Sequence, residues 1–156
     1  MPGPPPVGVK KTWGGPAFPC EVTGHVAKII HTMIRVLELE RSIKFYADVL
    51  GLQTSHRLDF PDFSLVYLRS PENDFEVELT WNMGRAEPYT HGDGYGHIAV
   101  VIDDAAALQA ALTAKGYQPA AVKEFKRGDE LLARFFFIQD PDGYKIELLE
   151  RHGHYR

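Results

Sequence analysis

Along residues 31–36, HTMIRV, the side chains alternate. His31, Met33 and Arg35 share one face, while Ile34 and Val36 take the other, which predicts a strand. The period then changes. From about Leu39 to Leu50, Ile43, Tyr46, Val49 and Leu50 form one stripe at helical spacing, and Gly51 stands where a helix ends on a left-handed residue. Strand-length runs follow at about 53–59 and 63–69, divided by the turn signal Phe60-Pro61-Asp62. After Ser70-Pro71-Glu72-Asn73-Asp74 comes FEVELTW, in which Phe75, Val77, Leu79 and Trp81 face one way and Glu76, Glu78 and Thr80 the other.

The same order then recurs. Residues 97–118, HIAVVIDDAAALQAALTAKGYQ, set beside residues 31–53, open on His, continue as an apolar run, turn an acidic corner and enter a helix. That helix is expected over about Asp104 to Lys115, with Ala107, Leu108, Ala111 and Leu112 as its apolar stripe, Asp103 or Asp104 as N-cap and Gly116 past its end. Strands are expected at about 117–124 and 131–139, divided by Arg127-Gly128-Asp129, the second carrying Phe135-Phe136-Phe137-Ile138. After Asp140-Pro141-Asp142-Gly143, YKIEL at 144–148 repeats the aromatic, charged, β-branched, Glu, Leu order of FEVEL at 75–79. In YKIELLE, Tyr144, Ile146 and Leu148 oppose Lys145, Glu147 and Leu149.

Each half therefore reads β-α-β-β-β, an α+β pattern. A half of about 50 residues is small for an independent domain. Two halves sharing one sheet surface, with helices on one side and a concave face free for a ligand, make better physical sense. The expected divisions are an extension at 1–25, one domain over 26–150, and a tail at 151–156. Within the domain, module one runs over about 26–82, a linker over 83–94 and module two over about 95–150.

Composition narrows the function. The chain has 156 residues and a formal charge of −4, which argues against a general nucleic-acid or membrane-surface binder. The one cysteine, Cys20, excludes an intramolecular disulfide and a Cys-based zinc site, and favours a reducing compartment, so the expected location is cytoplasmic. No stretch approaches the roughly 20 apolar residues of a membrane helix. The first 20 residues hold six of the eleven prolines and no secretory h-region. They read as a loosely wrapped extension or as an arm that packs on a partner subunit through Trp13 and Phe18. No phosphate-cradling glycine loop precedes a helix, since HGDGYG leads into a strand.

The candidate chemistry lies at equivalent points of the repeat. His31 opens the first strand of half one and Glu78 sits in its last strand; His97 and Glu147 do the same in half two. Both glutamates lie opposite the apolar face of their strands. If the halves are related by a rotation, the four side chains converge on an N₂O₂ set for a divalent metal, with positions left for water or substrate. His25, His56 and His91 have no partner in the repeat, and His152 and His154 read as a polar tail.

On HTMIRV, ERSIKFYADVLG at 40–51, VELTWNMG at 77–84, YGHIAV at 95–100 and DPDGYKIEL at 140–148, the chain resembles glyoxalase I of the vicinal-oxygen-chelate superfamily. The resemblance implies paired βαβββ modules and one divalent metal per site, nickel or cobalt favoured and zinc possible. The implied ligands are His31, Glu78, His97 and Glu147. It implies a homodimer with sites at the interface. The implied reaction is isomerisation of the hemithioacetal of glutathione and methylglyoxal, through an enediolate, to S-lactoylglutathione. Glu147 would be the base and Glu78 the second catalytic carboxylate. Arg35 and Asn82 would contact the glutathione part of the substrate, with Lys126 and Arg127 as weaker candidates beside Arg134. Other members of the superfamily, such as an epimerase, a glyoxalase using another thiol, or a ligand-binding protein without catalysis, are the alternatives. A thiol transferase or a ring-cleaving dioxygenase fits less well, because it would use two His and one Glu.

Overall fold

A computed structural model describes residues 27–156. The extension at 1–25, with Trp13, Phe18 and Cys20, lies outside the described residues, as does His25. The elements run β1 (His31–Val36), α1 (Leu39–Leu50), β2 (Gln53–Asp59), β3 (Phe63–Arg69), β4 (Glu76–Asn82), β5 (Ile98–Ile102), α2 (Ala105–Ala114), β6 (Lys123–Arg127), β7 (Glu130–Gln139) and β8 (Lys145–Glu150). They form two open four-stranded sheets of identical topology, β1-β4-β3-β2 and β5-β8-β7-β6. In each sheet the first strand pairs parallel to the last, and the other pairings are antiparallel. Parallel pairing requires a crossover, and α1 and α2 supply one in each half.

Local sequence accounts for the helix ends. Gly51 adopts φ 68° and its amide closes the last turn of α1 onto the Ala47 carbonyl at 3.0 Å. The Asp104 carboxylate accepts from the Ala107 amide at 2.9 Å, capping α2. The α1 cap residue, Glu38, makes no side-chain cap bond. Helix α1 buries Leu39, Ser42, Phe45, Tyr46 and Val49, while Ile43 and Leu50 are half-buried.

Two expectations shift. The buried side of α2 runs through Ala105, Leu108 and Leu112, while Ala107 and Ala111 are exposed. So many alanines give the helix little contrast, and packing rather than pattern fixes its rotation. The strand expected at 117–124 begins only at Lys123. Pro119 carries no amide to donate, and the Ala120 amide makes a single bond to the Phe137 carbonyl at 2.7 Å.

The two halves share one core. Ile34, Tyr46, Val66 and Leu79 of module one pack in one cluster with Ala105, Leu112, Phe136, Ile146 and Leu148 of module two. No helix among the described residues is long and apolar enough to cross a membrane. The tail turns back on itself, with a bridge between His152 and Tyr155 and a ring nitrogen of His152 at 3.0 Å from the Leu131 carbonyl.

Candidate metal centre

Register brings the first candidate pair together. Glu76 lies beside His31 across β1 and β4, and Glu78 beside Met33, so the Glu78 carboxylate reaches the histidine diagonally on one face. His31 Nε2 stands 3.3 Å from Glu78 Oε2. Module two repeats the offset: Glu147 lies beside Ala99, and His97 precedes β5 by one residue. His97 Nε2 stands 3.1 Å from Glu147 Oε2. Two donors bound at right angles to one ion, each at about 2.1 Å, are about 3 Å apart. Each pair thus has the spacing of adjacent ligands of a small divalent cation.

The surroundings repeat as well. Tyr67 lies across from Glu78, and Phe137 across from Glu147. Each ring meets its histidine edge-on, with centroids 5.8 Å apart for His31–Tyr67 and 5.4 Å for His97–Phe137. Thr80 donates its hydroxyl to Glu78 Oε1 at 3.0 Å, leaving Oε2 to the histidine. Burial first, then the adjacent Glu78 carboxylate, pushes the Tyr67 phenol above its ordinary pKa. The Glu78 and Glu147 side chains are only 11% and 15% exposed, whereas the two imidazoles keep 35% and 41%. The carboxylates are thus seated in the sheet with the rings open to an incoming group.

The four residues do not gather within one chain. No group of three or more His, Cys, Asp or Glu side chains placed to hold a metal occurs among the described residues. One chain presents two half-sites, each with one nitrogen and one oxygen donor.

Residues expected to contact a thiol cosubstrate divide. Arg35, on the His31 face of β1, is exposed and makes no ion pair among the described residues. Asn82 donates Nδ2–H to the Tyr89 hydroxyl at 3.1 Å. Lys126 pairs with Glu124 at 2.7 Å and Arg127 with Glu130 at 2.8 Å. Arg134 spans Glu124 at 3.0 Å and Glu150 at 2.7 Å. Lys123 lies across from Phe135. Strand alternation puts it on the face of Phe135, Phe137 and Glu147, and it makes no ion pair among the described residues. Sequence reading passed over Lys123, Tyr67, Thr80 and Phe137; the repeat itself was the available signal for the two aromatics. A cavity of about 740 Å³ opens beside His97, lined by Tyr95, Tyr117, Phe137, Gln139 and Lys145 among others. That is the size range of a small-molecule site.

The chain as a whole is similar to known proteins. Residues 28–148 match the family model described as Glyoxalase/Bleomycin resistance protein/Dioxygenase superfamily. A lactoylglutathione lyase of Haemophilus influenzae is 42% identical over 128 residues, 79% of this chain and 92% of that protein. One from Salmonella typhimurium is 41% identical over the same shares of the two chains. Among solved structures, the trypanothione-dependent glyoxalase I of Leishmania major is 36% identical with a TM-score of 0.65, covering 80% of this chain and 87% of that one. Glyoxalase I of Zea mays is 34% identical with a TM-score of 0.71, covering 81% of this chain and 45% of that one.

Proposed function

The chain belongs to the Glyoxalase/Bleomycin resistance protein/Dioxygenase superfamily, and from that premise we propose that it is a lactoylglutathione lyase. It isomerises the hemithioacetal of methylglyoxal and glutathione to S-lactoylglutathione. The observation that carries the reading is the matched pair of half-sites, His31–Glu78 and His97–Glu147, at ligand spacing. The curated relatives with about 40% identity over most of the chain support the reaction. The protein works as a homodimer in the cytoplasm. His31 and Glu78 of one copy face His97 and Glu147 of a second, completing four ligands.

The donor set fits a divalent ion of borderline character: two imidazole nitrogens, two carboxylates and no thiolate, with nickel or cobalt proposed and zinc an alternative. When bound, the metal supplies Lewis acidity to the two vicinal oxygens of the substrate. The protein does the rest. Glu147 takes the proton from the carbon bearing sulfur and oxygen and returns it to the neighbouring carbon, while the hydroxyl proton passes from the first oxygen to the second. Glu78 is its counterpart across the site, held in orientation by Thr80. Arg35 and Lys123 supply positive charge for an anionic thiol; Asn82 adds an amide, and Lys126 and Arg127 stand further back, engaged with their glutamates.

The test is an assay of nickel- or cobalt-loaded protein on methylglyoxal, with and without glutathione, following the thioester. Turnover requiring glutathione and lost on chelation is expected. Glu147→Gln is expected to lower kcat by about 10²–10⁴-fold. Full activity after exhaustive metal removal would overturn the reading. Activity on neither mixture would redirect it to another reaction of the superfamily.

A further inference from the structure

Asp142 belongs to module two, in the DPDG turn between β7 and β8, yet its carboxylate is spent on module one. Oδ1 accepts from the Leu37 amide at 3.1 Å and from Arg41 Nη2 at 3.3 Å, and Oδ2 accepts from Ser42 Oγ at 3.2 Å. The Asp142 side chain is 2% exposed and Ser42 is fully buried. These donors lie just before and within the first turn of α1, the helix whose own cap residue makes no side-chain cap bond. A buried negative charge there is matched by Arg41 and by the positive end of the helix.

The rest of the turn grips module one too. Asp140, also buried, accepts from Tyr46 Oη at 3.0 Å and from the amides of Asp142 at 2.9 Å and Tyr144 at 2.8 Å. The Arg35 amide of β1 donates to the Tyr144 hydroxyl at 3.3 Å. The linker residue His91 stacks on Tyr144, with ring centroids 4.1 Å apart. Gly143 permits the turn itself, because its φ of 88° is a conformation that residues with a side chain rarely adopt. The turn therefore joins β8, which carries Glu147, to β1, which carries His31 and Arg35.

We infer that Asp142 is a positioning residue: it latches module two onto the start of α1 and so fixes the angle between the two half-sites. The inference rests on the metal-dependent reading above for its catalytic consequence, but the latch itself concerns the angle alone. In a two-fold dimer each half-site of one chain meets the opposite half-site of the second, so the angle within each chain decides whether both pairs can complete a ligand set. Groups that orient metal ligands tune affinity about 10- to 100-fold, which sets the size of effect to look for.

Two measurements on the full chain test this. Nitroxide labels at Arg69→Cys and Thr113→Cys, in a Cys20→Ser background diluted with unlabelled chain, report the distance between modules without metal. Nickel titration reports affinity. Asp142→Ala is expected to broaden the distance distribution and raise the nickel dissociation constant about tenfold. Asp142→Asn, which keeps an acceptor for Leu37 and a partner for Ser42, is expected to restore most of both. A lowered Tm in Asp142→Ala with unchanged distances overturns the latch, and unchanged nickel affinity overturns its role in positioning. A wild type that binds none of nickel, cobalt and zinc while Asp142→Ala still broadens supports the latch and overturns the proposed metal-dependent activity instead.

Discussion

Glu78 and Glu147 became candidates because each lies on the polar face of an apolar strand at matching repeat positions, each with a histidine at an equivalent point. Their neighbours did not. Thr80 carries no spacing signal, and for both Tyr67 and Thr80 the contact with Glu78 depends on strand register and side-chain direction. Asp140 is another case of chemistry visible only in the fold. Burial pushes its carboxyl above the ordinary value of 3.8, against the hydrogen bonds that favour the charge. In the window between 3.8 and the raised value, the native state holds its proton more tightly than the unfolded chain. The stability Asp140 contributes is full below that window and is lost as pH rises through it. Asp140→Asn keeps an acceptor for the two amides and a donor for Tyr46 Oη. The expected result is a variant whose Tm, relative to wild type, improves as pH rises above 3.8 through the range where wild-type Asp140 loses its proton. A constant difference across that range would show that Asp140 does not titrate there.

At the scale of elements, the strands at 53–59 and 63–69 matched because the turn signal Phe60-Pro61-Asp62 divides two strand-length runs. The limits of β6 and the buried side of α2 did not follow from the pattern, because Pro119 and the alanines leave local preference weak and packing decisive. The β6–β7 hairpin shows why charge must be read with its face. Lys126 and Arg127 are the more conspicuous cations, but Glu124 and Glu130 hold them. Lys123 stands on the Glu147 side of the sheet. Lys123→Ala is therefore expected to raise KM for the glutathione adduct several-fold with kcat little changed. Lys126→Ala is expected to stay within about twofold, as exposed ion pairs contribute little. Equal effects in the two variants would remove Lys123 from the substrate contact.

For the whole molecule, the internal repeat disclosed two equivalent modules, and the shared topology of the sheets reflects it. The way the modules pack was not legible. It depends on pairs such as Ser42 with Asp142, separated by 100 residues. That packing keeps His31–Glu78 apart from His97–Glu147 within one chain, with a direct consequence for mixed dimers. His31→Ala disables module one, and Glu147→Gln disables module two. Each variant alone is expected to be inactive. After mixing and subunit exchange, one site of each heterodimer is intact, and roughly a quarter of wild-type activity is expected from random pairing. No recovery in exchanged dimers would mean that each site is built within one chain.

Both sheets leave their first strand at an edge. Beside β1, Ile29 and Ile30 are 78% and 57% exposed, and Met33 is exposed on the strand itself. Lys28 beside it is tied to Asp74 at 2.9 Å, so among the described residues Arg35 is the unpaired cation on this edge. An apolar strand edge of this kind recruits other strands without discrimination. A second copy seated over it would do more than complete a ligand set. It would cover the surface from which aggregation would otherwise begin, so the proposed dimer would also help keep the chain in solution.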